Sequence, residues 1–220
     1  MKMLRKTLFF CLVLCIVAVF GAILFRIYIA DHYPGDTTQT VFTPALEAHY
    51  RANTEGFAAF TQDIRFPYDD AKDGNFFATA LVLVPDADHL QLTVRYNKST
   101  LPKVASHYKL DEVPAPAEGL IRYTLTVSYN EDKDGKDYRT YDCSYIAEDA
   151  AFMYRYARLA FDGVELDGAV WARVDIYYKD QSEPFGAIAV YESRTYDDMT
   201  DTFIPIPLKE FRVDKEDLPS

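Results

Sequence analysis

From Leu8 to Phe25 the chain runs LFFCLVLCIVAVFGAILF, with no polar side chain. Arg26 interrupts this stretch, and Ile27-Tyr28-Ile29-Ala30 extends it. About 20 apolar residues are needed to carry a helix across a bilayer, whereas the apolar region of a signal peptide is about 7–15 residues long. The pattern therefore predicts a transmembrane signal anchor over 8–29, preceded by a basic segment, 1–7. Arg26 can snorkel to the headgroups and Tyr28 suits the interface. A buried soluble helix is disfavoured, because five turns pass without a polar face. A cleaved signal peptide, cut after Val19-Phe20-Gly21, is the alternative. Cys11 and Cys15 follow the bulky Phe10 and Leu14, unlike a lipoprotein site.

Beyond this segment the pattern changes twice. DHYPGDTTQTVFT (31–43) is polar and contains Pro34-Gly35, a short connector within a linker over 30–43. Thr43-Pro44 reads as an N-cap followed by a first helical residue. Leu46, Tyr50, Asn53 and Phe57 follow at helical spacing, which predicts a short helix over 44–54. From residue 76 the period becomes two. Leu90, Leu92, Val94 and Tyr96 alternate with polar residues, as do Ile121, Tyr123, Leu125 and Val127, and Val170, Ala172, Val174 and Ile176. FFATALVLV (76–84) is apolar on both faces, which predicts a central strand. Further strands are expected at 138–146, 152–161, 186–192 and 203–212, with Pro205 and Pro207 confining the last to an edge.

Asp-Gly pairs at 73–74, 134–135, 162–163 and 167–168 mark turns. The fold class expected is mainly β: an antiparallel β-sandwich of about eight or nine strands over 44–220, preceded by one transmembrane helix and a short N-terminal helix. Residues 97–119, with Pro102, Pro114 and Pro116, read as the largest irregular connection.

Charge sharpens the division. Lys2, Arg5, Lys6 and Arg26 are the only charged residues before Asp31. The net charge of −11 is therefore a +4 segment joined to a −15 domain. The positive-inside rule places the N-terminus in the cytoplasm and the β domain outside, anchored in the cell membrane. The acidity disfavours nucleic acid, phosphate polymers and anionic headgroups as partners, and favours cationic ones.

Trp171, Arg173, Asp175 and Tyr177 share one face of a strand, opposite its aliphatic stripe. Such a ladder suits stacking on sugars or gripping a protein. It is the candidate binding site, unless loops or the N-terminal helix cover it. Asn130, Asp132 and Asp134, followed by Gly135, match the opening of a calcium loop, but position twelve is Tyr141 rather than Glu. A polar hairpin tip with at most weak Ca2+ affinity is expected there. Acidic clusters at Asp69, Asp70 and Asp73, and at Asp197, Asp198 and Asp201, read as solvated loops. His32, His49, His89 and His107 show no metal-ligand spacing. Asn97-Lys98-Ser99 is a glycosylation sequon.

An anchored all-β domain with one cysteine resembles the sortase layout. That resemblance implies Cys143 as nucleophile, His107 or His89 as its partner, and Arg155 or Arg158 as oxyanion support. The motif departs from it: Thr140-Tyr141-Asp142-Cys143 stands where sortases have a Thr-Cys pair, and the adjacent carboxylate raises a thiol pKa. A buried, inert thiol fits better. The sequence thus reads as a single-pass membrane-anchored, extracytoplasmic binding protein with no cofactor. Its partner is expected to be a protein or envelope component, with a carbohydrate-binding module as the alternative.

Overall fold

A computed structural model of the chain describes residues 2–32, 43–52, 56–62, 76–109, 111–113, 121–130, 137–151, 153–178, 181–184, 186–197, 199 and 201–213. Three α-helices, one short 3-10 helix (Pro85–Ala87) and twelve strands lie among them. Helix α1 (Lys2–His32) contains the apolar run. Its stretch Arg5–Tyr28 is exposed throughout, and is long and apolar enough to cross a membrane. The helix continues through His32, three residues beyond the expected span.

Helix α2 (Pro44–Ala52) begins where Thr43-Pro44 predicts. The Leu46 amide donates to Thr43 Oγ1 at 3.3 Å, so the cap is made. The helix buries Leu46 and Tyr50 and exposes its other side, as its amphipathic spacing requires.

The strands are β1 (Phe57–Thr61), β2 (Phe76–Val84), β3 (His89–Asn97), β4 (Ile121–Ser128), β5 (Tyr138–Asp142), β6 (Tyr145–Ala151), β7 (Tyr154–Asp162), β8 (Trp171–Tyr178), β9 (Gly186–Glu192), β10 (Arg194–Asp197), β11 (Thr202–Pro205) and β12 (Lys209–Val213). A six-stranded sheet runs β12-β1-β2-β3-β7-β6, and a four-stranded sheet runs β5-β4-β8-β9. β10 and β11 form a separate ribbon. Every pairing is antiparallel.

The core lies between the two sheets. Leu90, Leu92, Val94 and Tyr96 of β3 and Ala157, Leu159 and Phe161 of β7 meet Ile121, Tyr123, Leu125 and Val127 of β4 and Val174 and Ile176 of β8. Each set is the apolar half of an alternating strand, so the pleat sends it to one side. A second cluster joins α2 to the other face of the six-stranded sheet through Leu46, Tyr50, Phe57, Ala59, Val82, Val84 and Val213. β2, which reads as apolar on both faces, is therefore covered on both along its Leu81–Val84 half, while Phe77 to Ala80 are half-buried.

The sandwich class is as the periodicity predicts, with more and shorter strands. Residues 138–146 form not one strand but two, β5 and β6, in different sheets. The chain crosses between the sheets at Cys143–Ser144. The expected irregular connection over 97–119 contains helix α3 (Thr100–Tyr108). Its Leu101 belongs to the core between the sheets, so α3 closes one end of the sandwich. The expected strand over 203–212 is broken at 206–208 into β11 and the edge strand β12, the edge position that the prolines imply. The β7–β8 connection turns at Gly168, whose φ of +72° closes the Leu166–Ala169 turn (Ala169 N–H to Leu166 O, 3.2 Å).

Candidate functional site

β4 and β8 send alternate residues into the core between the sheets, so Arg122, Thr124, Thr126 and Ser128 share the opposite face with Trp171, Arg173, Asp175 and Tyr177, although Thr124, Thr126 and Ser128 are buried there by their neighbours. The register makes this a grid. Asp142, Thr124, Asp175 and Ala187 form one row across β5-β4-β8-β9. Thr140, Thr126, Arg173 and Ala189 form the next, and Tyr138, Ser128, Trp171 and Glu192 a third. Arg122 and Tyr177 pair at the opposite end.

The four predicted binding residues are thus on one face, but not equally open. Arg173 is exposed, Trp171 and Tyr177 are half-buried, and Asp175 is buried at 4%. That corrects the reading of Asp175 as an exposed rung. Its short side chain lies between longer neighbours. Arg173 Nε is 3.0 Å from Asp175 Oδ1, but its N–H points to Oδ2 at 3.2 Å, so Oδ1 holds charge attraction without a hydrogen bond. Thr126 Oγ1 donates to Oδ2 at 3.4 Å. Burial pushes the Asp175 carboxyl above its usual range, and Arg173 opposes that shift. The Arg122 guanidinium lies 4.4 Å from the Tyr177 ring centre and donates to Gln181 O at 3.4 Å. The indole N–H of Trp171 is buried with no acceptor among the described residues.

The face therefore has a fixed cation on a buried carboxylate, hydroxyls beside it, and aromatic groups at both ends. Tyr138, 56% exposed, extends the aromatic end beyond Trp171. Tyr138, Arg122 and Thr126 belong to this face although the strand-by-strand reading did not assign them to it. The alternation places each on its own strand's polar side, but pairing order is what unites them.

Cys143 sits at the sheet-crossing corner. Its N–H donates to Tyr123 O, and Sγ lies 3.1 Å from Tyr145 O and 3.5 Å from Ala160 O, each an acceptor for the thiol hydrogen. Burial pushes the thiol up to about 11. Arg155 is paired with Glu148 at 3.3 Å, and Arg158 lies on β7 in the alternate set to the core residues Ala157 and Leu159.

His89 is also committed. Its ring is fully buried, with Nδ1 2.6 Å from Asp162 Oδ1 and Nε2 2.8 Å from Gln91 Nε2. As a neutral imidazole it donates to Asp162 and accepts from Gln91. Thr43 Oγ1 donates to the same Asp162 oxygen at 2.9 Å. This network ties the start of α2 to the end of β7. Burial lowers the His89 pKa, with Asp162 opposing.

Asn130 adjoins the polar tip, where Ser128 Oγ donates to its carbonyl at 3.2 Å. Asp132 and Asp134 lie outside the described residues, as do Asp69, Asp70, Asp73 and Asp198. Among the described residues no group of three or more His, Cys, Asp or Glu is placed to hold a metal ion. Comparison with protein-family models, curated proteins and solved structures finds no match to this chain.

Proposed function

We propose that the chain is a single-pass membrane-anchored binding protein, N-terminus in the cytoplasm, whose extracytoplasmic sandwich engages a protein partner or envelope component. The outer face of β5-β4-β8-β9 is its binding surface. Arg173 carries the reading: a half-exposed guanidinium held on a buried carboxylate and flanked by Trp171 and Tyr177. Arg, Trp and Tyr dominate binding energy at interfaces, and a cation already oriented by Asp175 loses less freedom on contact. The −15 charge of residues 31–220 favours a partner with cationic regions. The role is read as non-catalytic, with support from the hydrogen-bonded Cys143 thiol and the engaged His89.

The test is capture of a membrane partner by the full chain and its variants. Arg173→Ala is expected to weaken capture about 30-fold, near the ~2 kcal/mol of a strong interface residue, and also to lower the melting temperature, because the buried Asp175 carboxylate loses its cation, so capture is compared at a temperature where both chains remain folded. Capture should also weaken steeply with salt. Undiminished capture by Arg173→Ala rejects this face. The alternative, a carbohydrate-binding module, draws on the same aromatic groups. Glycan-array binding that disappears in Trp171→Ala would favour it. No cofactor is invoked. Millimolar Ca2+ is expected to leave the melting temperature unchanged, and a calcium-dependent rise would instead assign a weak cation site to the tip at Asn130, Asp132 and Asp134.

A further inference from the structure

The charge of the domain is unevenly distributed. From His89 to Leu110 there is no acidic residue, the longest such run after residue 31. That run carries Arg95, Lys98, Lys103 and Lys109. One of the next longest, Ala150 to Phe161, carries Arg155 and Arg158.

The fold brings the two runs together at one end of the sandwich. Asn97 pairs with Tyr154 at the ends of β3 and β7. The Lys98 amide donates to Met153 O at 2.9 Å. The Arg95 guanidinium lies 5.2 Å from the Tyr154 ring centre. α3 starts beside this point and turns Thr100, Leu101 and Ala105 inward. Its exposed side carries Pro102, Lys103 and Ser106, with Lys109 following at the helix end. Spacings of three residues keep Lys103, Ser106 and Lys109 on one side of the helix.

α1 meets the domain at this same end. Arg26 Nε donates to the Tyr154 hydroxyl at 2.8 Å, and its guanidinium lies 5.7 Å from the Tyr154 ring centre. Arg26 stands two residues before the apolar span ends at Tyr28, the level at which a spanning helix meets the headgroups. Tyr154 is therefore held at that level too, and Lys98, Lys103 and Lys109 are carried close to the lipid surface.

We propose that the end of the domain formed by Arg95, Lys98, Lys103 and Lys109 docks on anionic phospholipid headgroups of the membrane that α1 spans. This rests on the anchored reading above. The net acidity of the domain does not oppose it, because screening confines each charge to about 8 Å at physiological salt. Within that distance the local sign decides. Each lysine near an anionic surface contributes to attraction that high salt removes. Asp111 and Glu112 resume the acidic pattern just past α3 and bound the patch.

The test uses the full chain reconstituted in vesicles of phosphatidylcholine alone, or of phosphatidylcholine with 30% phosphatidylglycerol. Cys11→Ala and Cys15→Ala remove the exposed thiols, and Ser106→Cys carries a donor dye for energy transfer to a headgroup acceptor. Transfer is expected to be higher in the anionic vesicles. It should fall to the phosphatidylcholine value near 1 M NaCl, where the screening length is about 3 Å. Lys98→Glu, Lys103→Glu and Lys109→Glu together should abolish the difference, and the three Lys→Arg changes should retain it. Equal transfer in the two compositions, with the chain resisting alkaline extraction, overturns the docking alone. Release of the chain by alkaline extraction overturns the anchor, and the docking with it.

Discussion

Cys143 and Asp175 illustrate how burial sets what a single side chain can do. The Cys143 thiol sits beside two carbonyl acceptors, and its pKa of about 11 leaves little thiolate at neutral pH. In a Cys11→Ala, Cys15→Ala background the folded chain is expected to resist a maleimide at pH 7.5 and to label on unfolding. Rapid labelling of the folded chain would restore the nucleophile reading. Asp175 is perturbed in the same direction, and by the same cause. Its carboxyl is raised by burial, so the fold favours the protonated form and loses stability as pH rises through that value. Asp175→Asn is therefore expected to raise the melting temperature at pH 7, by an amount that shrinks as pH falls. The same variant should weaken partner capture, because Arg173 loses the charge that orients it. A lower melting temperature at pH 7 would show that the ion pair outweighs the desolvation.

At the scale of elements, α2 is held by one polar clasp and one apolar patch. Thr43 caps the helix and also donates to Asp162, which accepts from His89. Thr43→Ala removes both bonds, and loss of the cap alone costs about 1 kcal/mol. Leu46→Ala empties a fully buried site against the sheet and should cost about 2–5 kcal/mol. Both are measurable by chemical denaturation. His89 adds a pH dependence. Its folded pKa lies below 6.5, so its contribution is complete above that pH and is lost as pH falls through the folded value. Thermal melts of the native chain should decline below pH 6.5, and His89→Gln should flatten that decline. An unchanged slope in the variant would assign the decline to other groups.

The elements also show where a sequence informs and where it does not. Thr43-Pro44 announces α2, because capping and proline preference are local. α3 is hidden by Pro102, which marks a break in an unplaced segment. In the fold it is the third residue of α3, within the first turn, where a helix needs no amide donor. The split of 138–146 leaves no mark, since no glycine or proline stands at Cys143–Ser144 and the pattern stays strand-like across the corner.

For the whole molecule, the layers follow from alternation, but the order of strands does not. The apolar stripes of β3, β4 and β8 require two sheets face to face. Nothing local says that β4 lies between β5 and β8, and this order alone places Arg122 over Tyr177 and Tyr138 in the row of Trp171. Trp171 to Tyr177 was therefore legible as a stripe, and the wider face was not. The burial of Asp175 was equally hidden, because it depends on the side chains that flank it.

The Arg26–Tyr154 contact has a consequence for how partners are met. A domain on a loose leader would tumble and search in three dimensions. Under the anchoring proposed above, a domain seated at the mouth of its own anchor would have a set azimuth and height, so its encounters would be confined to a plane and arrive from one bearing. For a molecule so anchored, lateral diffusion and crowding in the membrane would set the rate of meeting, and abundance per unit area would replace concentration in solution.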